Sequence, residues 1–204
     1  IVTERDLLSK ILAGGLDIGA TKVSHVMSYP LIKICPDLEI REAARTMIRR
    51  KGRLAVFQCG DIAGVITASD LIREMPDAPE TSLTVDEFMT RDVKSIGEDE
   101  TVEEAARLMG RERIGSLLVM RDDHPLGIFT ERDLLTTFLA RDRPLDAPVS
   151  MASSSPLITA PAGISIHAAA KTMASRHIRR LILTKKKTME GIITARDLVE
   201  AYAR

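Results

Sequence analysis

What this 204-residue chain has little of narrows its function first. It has two cysteines, Cys35 and Cys59, in no C-x-x-C pair and with no histidine spaced as a zinc partner, so a structural metal site is not expected. The pair reads as ordinary half-buried thiols in a reducing, cytoplasmic setting. Aromatic residues are 3% and tryptophan is absent, which removes the stacking platforms that single-stranded nucleic acids need. Neither charge sign dominates, with 29 Lys+Arg against 29 Asp+Glu, whereas a chain built to coat nucleic acid or an acidic membrane is normally basic. No run approaches the roughly eighteen apolar residues of a membrane-spanning helix. No nucleophile–base pair, P-loop or metal triad occurs, and His25, His124, His167 and His177 form no group, so an enzyme is not expected.

What the chain does have is repetition. GVITASDLI holds Thr67 and Asp70, GIFTERDLL holds Thr130 and Asp133, GIITARDLV holds Thr194 and Asp197, and the opening IVTERDLL holds Thr3 and Asp6. Successive threonines are 64, 63 and 64 residues apart (67−3, 130−67, 194−130). A second string keeps that period: EIREAARTM ends at Met47, TVEEAARLM at Met109 and SIHAAAKTM at Met173. Two independent anchors at one period exclude chance.

Each copy reads the same way. A short apolar stretch (31–34, 93–96, 157–159) precedes an Ala-rich amphipathic segment. In the middle copy Val102, Ala105, Ala106 and Met109 share one helical face, and small Ala faces let a helix lie close to its neighbour. Two apolar runs around a polar turn then predict a β-hairpin, as in Leu54–Phe57 and Gly64–Ile66 about Gly60-Asp61. The second run meets Thr-x-x-Asp and another helix. The fold class is therefore α/β, an α+β arrangement of β-α-β-β-α units of about 60 residues, each too small to stand alone.

The expected domains are a fragment of a first repeat at 1–20 and complete repeats at 21–75, 84–140 and 146–204, with linkers at 13–19, 74–80 and 141–148. The fragment is expected to pair with 21–75, and 84–140 with 146–204. Met27 precedes Thr67 by 40 residues, so the opening copy lacks roughly that much of its first half, and the natural chain is expected to extend upstream of Ile1.

The unit ending in Gly-h-h-Thr-x-x-Asp (h, hydrophobic) resembles the CBS domain, named after cystathionine β-synthase. The resemblance covers nearly the whole chain. It implies tandem repeats pairing into disc-like Bateman modules whose clefts bind AMP, ADP, ATP or S-adenosylmethionine, with no further cofactor. It also implies a regulatory role toward an enzyme or transporter and a homodimer through the discs, with no membrane partner.

Thr-x-x-Asp also has a plain local reading as a capping box, with Thr as N-cap and Asp three residues on. The two roles are compatible, because a helix N-terminus suits phosphate and a carboxylate can accept both ribose hydroxyls. The resemblance gives the Asp to the ribose and the Thr to the phosphate, at Thr3/Asp6, Thr67/Asp70, Thr130/Asp133 and Thr194/Asp197. It places phosphate-facing residues just before the second strand. There the copies diverge: Arg179-Arg180 in the last, Arg53 alone in the first complete copy, Gly115-Ser116 in the middle one. Arginine holds phosphate oxygens through parallel N–H donors, so unequal sites are expected. The adenine slot falls by resemblance on Ile32, Val93 and Ile158 with neighbours Lys33, Ser95 and Thr159, and the three apolar residues serve equally well as core. Pro156-Leu157-Ile158-Thr159 keeps the family pattern, and Asp92-Val93-Lys94-Ser95 departs from it.

Two alternatives stand beside nucleotide sensing. One is a ligand-independent interaction or oligomerisation module. The other is nucleic-acid binding through the basic run 171–187, which holds Lys171, Arg176, Arg179, Arg180 and Lys185–Lys187 without an acid. The closing lysines of that run also read as a solvated hairpin turn, and neutral overall charge makes nucleic acid the weakest partner.

Overall fold

The computed structural model of the chain describes residues 1–74, 82–186 and 188–204; most of the linker expected at 74–80, and Lys187, lie outside the described residues. The opening fragment supplies α1 (Glu4–Asp6, continued by a π-helical stretch Leu7–Leu12) and a short α2 (Val23–Val26). The first complete copy follows as β1 (Ile32–Ile34), α3 (Ile40–Arg50), β2 (Leu54–Gln58), β3 (Asp61–Ile66) and α4 (Ala68–Glu74). The middle copy is β4 (Ser95–Gly97), α5 (Val102–Glu112), β5 (Ser116–Arg121), β6 (His124–Thr130) and α6 (Glu131–Asp133, continued by Leu134–Phe138). The last is β7 (Thr159–Pro161), α7 (Ile166–Arg176), β8 (Arg180–Lys185), β9 (Thr188–Thr194) and α8 (Ala195–Ala203).

Each complete copy builds a three-stranded sheet with its middle strand parallel to the first and antiparallel to the third. The first helix is the crossover that a parallel pair requires. The hairpins close where the sequence offers residues tolerant of positive φ, such as Asp122 and Asp123 at 45° and 62°, the geometry of a two-residue type I′ turn. Cys59 sits in such a turn at φ 52°, and Cys35 follows β1. Both thiols are therefore exposed, not half-buried as expected. The three long first helices end on a residue in the left-handed region, Lys51, Arg113 and His177. That explains His177 as a helix cap standing in solvent.

The helix-lined cores join other repeats than expected, whereas hydrogen bonds of the leading segments link the expected pairs, Thr90 to Ile192, Ser154 to Ile128 and Ser28 to Ile1. Two compact units form, neither continuous in sequence: Ile1–Tyr29 with Val93–Leu157, and Pro30–Asp92 with Ile158–Arg204. The helix of the fragment thus shares a core with the middle copy, and the helices of the first complete copy share one with those of the last. Each complete copy carries the same Ala-Ala helix face, so local pattern does not choose the partner. In the second unit α3 packs on α8, with Arg45 Nε donating to the Ala203 carbonyl at 3.1 Å, and α4 packs on α7 and α8. Ala43, Ala44, Met47, Leu71, Ala169, Ala170, Met173 and Leu198 fill its core. In the first unit α1 lies on α5, with Leu8, Ala105, Ala106, Met109, Phe129 and Phe138 buried together. Gly110 allows that approach, because a Cβ there would run into the Ala13 side chain.

The segments ahead of the last two copies cross over as well. Residues 82–92 serve the last copy, where the Val85 N–H donates to Ile164 O at 3.0 Å. Residues 145–157 serve the middle copy, where the Val102 N–H donates to Ala147 O at 3.0 Å.

Candidate functional site

Each of the four Thr-x-x-Asp sequences folds into the same local device. The Thr backbone is extended, with φ −130° at Thr3, −128° at Thr130 and −113° at Thr194, and a helix starts at the next residue. The Thr N–H and hydroxyl both donate to Oδ2 of the Asp. The distances are 3.0 and 2.7 Å at Asp6, 2.9 and 2.6 Å at Asp70, 2.9 and 2.7 Å at Asp133, and 2.8 Å for both at Asp197. The complete capping box forms at Thr3, Thr130 and Thr194, and Thr67 makes the same two bonds to its aspartate.

What distinguishes the copies is the other carboxylate oxygen. Oδ1 of Asp6 accepts from the Lys10 ammonium at 2.8 Å and the Ser28 hydroxyl at 3.2 Å. Oδ1 of Asp70 is held by the Arg73 guanidinium. Among the described residues, nothing hydrogen-bonds or ion-pairs with Oδ1 of Asp133 or Asp197. Lys10 at i+4 and Arg73 at i+3 were readable from helix spacing as partners, a signal the motif-based reading passed over.

Acidity follows the same division. Burial pushes the Asp6 and Asp70 carboxyls up, but the opposing hydrogen bonds and cations prevail, and both lie below the ordinary aspartate value. At Asp197 burial prevails over the Thr194 hydrogen bonds. Glu200 pushes the same way and Arg196 opposes it, and the carboxyl lies above its ordinary value.

The last copy gathers its candidate residues at one end of one sheet. Arg180 opens the central strand β8 directly opposite Thr194. The Arg179 carbonyl accepts from the Ala195 N–H at 2.9 Å, which ties the Arg pair to the start of α8. Thr159 pairs with Ile182, and the Ile182 N–H donates to the Ile158 carbonyl at 3.4 Å. Ile158, Thr159, Arg179, Arg180 and Thr194 thus lie at or beside one end of this sheet, with Asp197 in the first turn of α8.

In the first complete copy Arg53 precedes β2 and Ile32 pairs with Leu54, while the Lys33 ammonium lies 4.5 Å above the Phe57 ring. In the middle copy Ser116 stands opposite Thr130. The strand register puts Lys94, not Val93, at the position of Ile32 and Ile158: the Leu118 N–H donates to Lys94 O as the Ile182 N–H does to Ile158 O. Val93 lies one residue outside that position. Ser95 lines an open groove of about 450 Å³ between β4 and α5, together with Glu100, Glu104, Arg107 and Arg111.

The basic run 171–187 is divided by the fold. Lys171 and Arg176 lie on α7, Arg179 and Arg180 at the start of β8, and Lys185 and Lys186 at its far end, about 17 Å away at strand rise. Among the described residues no helix is long and apolar enough to cross a membrane, and no group of three or more His, Cys, Asp or Glu could hold a metal ion.

Comparison with known proteins follows this geometry. The CBS domain family model matches residues 23–77, 85–140 and 149–204. The MJ1404 protein of Methanocaldococcus jannaschii is 29% identical over 220 aligned positions, covering the whole chain and 51% of that protein; the chain thus spans about half of that relative's length. The CBS domain-containing protein YhcV of Bacillus subtilis is 30% identical over 115 residues, 56% of the chain and 82% of YhcV. The crystal structure of MJ1225 from M. jannaschii, described as a candidate archaeal homologue of γ-AMPK, superposes with a TM-score of 0.78 at 21% identity, over 98% of the chain and 82% of that structure. With three family matches over most of its length and the fold to go with them, the chain belongs to the CBS domain family.

Proposed function

We propose that the chain is a regulatory sensor of an adenine nucleotide or S-adenosylmethionine, with the end of the last copy's sheet as its best site. One observation carries this reading. Asp197 Oδ1 has no partner among the described residues, and its box lies beside Arg179 and Arg180. A carboxylate with a spare oxygen accepts ribose hydroxyls, the α8 N-terminus favours phosphate, and two guanidiniums supply forked donors. Asp133 has the same spare oxygen but no arginine at the position of Arg180, so the middle copy suits a ligand with less phosphate. Asp6 and Asp70 are occupied by cations and rank last. The description of MJ1225 as a γ-AMPK homologue points toward the same class.

The reading makes the chain a non-catalytic element. It acts in the cytoplasm, as a homodimer through its CBS modules, on an enzyme or transporter. Isothermal titration with AMP, ADP, ATP and S-adenosylmethionine tests it. At least one should bind, and Asp197→Ala should weaken binding by about tenfold or more while the circular dichroism spectrum is unchanged. Absence of heat and of any thermal shift with all four ligands rejects the proposal.

A further inference from the structure

In a chain of zero net charge, two short stretches carry one sign each. Residues 45–53 hold five bases, Arg45, Arg49, Arg50, Lys51 and Arg53, and no acid. Residues 98–104 hold five acids, Glu98, Asp99, Glu100, Glu103 and Glu104, and no base. The repeat itself requires neither. At the period of the copies, 98–104 corresponds to 36–42, where Arg41 interrupts the acids, and to 162–168, which has no acid. Residues 45–53 correspond to 107–115, with three bases and Glu112, and to 171–179, with three bases.

Both stretches lie open in the folded chain. Arg45, Arg49 and Arg50 are exposed on the second half of α3, and exposed Lys51 caps it at φ 54°. Arg45 and Arg49 share one carboxylate, Glu42, at 3.6 and 3.4 Å. Among the described residues Arg50 and Lys51 have no partner. Glu98, Asp99 and Glu100 make the turn between β4 and α5, and Glu103 and Glu104 lie in the first turn of α5. Glu98 pairs with Arg121, Glu103 with Arg107 at 2.7 Å, and Glu104 accepts from the Thr101 N–H at 2.9 Å. Among the described residues Asp99 and Glu100 pair with no cation. The hydrogen bond and charge of Glu104 push the Glu100 carboxyl above its ordinary value, and Asp99 acts the same way. Helix dipoles account for acids in the first turn of α5 and bases in the last turn of α3. They do not account for Asp99 and Glu100, ahead of the helix, or for Arg53, beyond its end.

We propose that the acidic turn 98–104 of one copy of this chain docks on the basic end of α3 in a second copy. The stretches match in sign and number, five against five. Each supplies what the other lacks: Arg50 and Lys51 are cations for Asp99 and Glu100, and a guanidinium forks onto a carboxylate. Opposed patches of this kind steer encounter and fix register. Exposed pairs are worth little one by one, so the contact is weak, cooperative over several charges and sensitive to salt. Neither stretch belongs to the site in the last copy, so the association stands or falls apart from nucleotide binding.

Sedimentation velocity of the full chain without nucleotide tests this. At about 10 mM ionic strength, where the Debye length is about 30 Å, the weight-average mass should rise with chain concentration up to about 1 mM. At about 1 M salt, where that length is about 3 Å, the rise should vanish. Arg49→Gln with Arg50→Gln removes the basic helix end and keeps the acidic turn. Asp99→Asn with Glu100→Gln does the reverse. Both double variants should fold, since all four side chains are exposed and surface changes of this kind cost little. Each should weaken self-association by about fivefold or more. An equal mixture of the two should associate more tightly than either alone, because one brings the acidic turn and the other the basic helix end. The proposal is overturned if the mass at low salt does not depend on concentration, if association survives both double substitutions, or if the mixture associates no better than its components. Loss of association in the Arg49/Arg50 variant with none in the Asp99/Glu100 variant overturns it too, by giving the end of α3 a different partner surface.

Discussion

Asp197 and Asp6 show one residue type in one motif tuned in opposite directions. Asp6 has its second oxygen held by Lys10 and Ser28, and its folded carboxyl lies below the ordinary value. It contributes stability that is present above the unfolded pKa and lost as pH falls through the folded one. Asp197 lies above the ordinary value because burial prevails. Its sign is the reverse: its contribution to stability is full below the unfolded pKa and is lost as pH rises through the folded pKa. Ribose hydroxyls donate to the ionised form, so a nucleotide at this site should bind more weakly as pH drops through the raised pKa of Asp197. Binding near that pH should release a proton. Titration in buffers of different ionisation enthalpy reads that proton, and Asp197→Asn should flatten both the pH dependence and the release. A pH-independent affinity in the unmutated chain would contradict the assignment. The box itself was legible in the sequence, because a cap and its partner lie three residues apart. The fate of its second oxygen at Asp197 was not, because burial there comes from residues distant in sequence.

At the scale of elements, the repeated glycine before the box sorts the hairpins. Gly127 and Gly191 carry a crossing segment against their Cα atoms, and Gly64 does not. Gly191→Ala and Gly127→Ala should each cost about 1–3 kcal/mol, because the obstacle is a backbone carbonyl that cannot step aside. Gly64→Ala should be neutral or stabilise by about 0.5 kcal/mol, by limiting the unfolded chain. Urea denaturation of the three variants measures this, and equal effects at all three positions would remove the distinction. The Gly-h-h-Thr string marked these strands, but three glycines identical in pattern have different neighbours. The strand starts were also offset. Val93–Ile96 reads as an apolar stretch, yet β4 begins at Ser95, because pairing with β5 sets the register.

For the whole molecule, each compact unit holds a core shared by repeats that are not adjacent in sequence. Met47 of the first complete copy is buried in one core with Met173 and Leu198 of the last. Met47→Ala should therefore cost about 2–4 kcal/mol. It should raise hydrogen exchange in α3, α7 and α8 together and leave α5 as it was. An increase confined to α3, with α7 and α8 unchanged, would contradict the shared core.

By itself the sequence determined the number of repeats, the order β-α-β-β-α within each, the four Thr-x-x-Asp boxes and the unequal supply of arginine. All of these depend on residues a few positions apart, which obey the same backbone sterics and hydrogen-bond reach wherever they occur. Tertiary structure alone decided which repeats share a core, which carboxylate oxygens stay unpartnered and which hairpin glycines meet a crossing segment. Each of these depends on contacts between elements far apart in the chain. The repeats carry nearly the same helix faces and the same glycines, so local pattern offers no means of telling one partner from another.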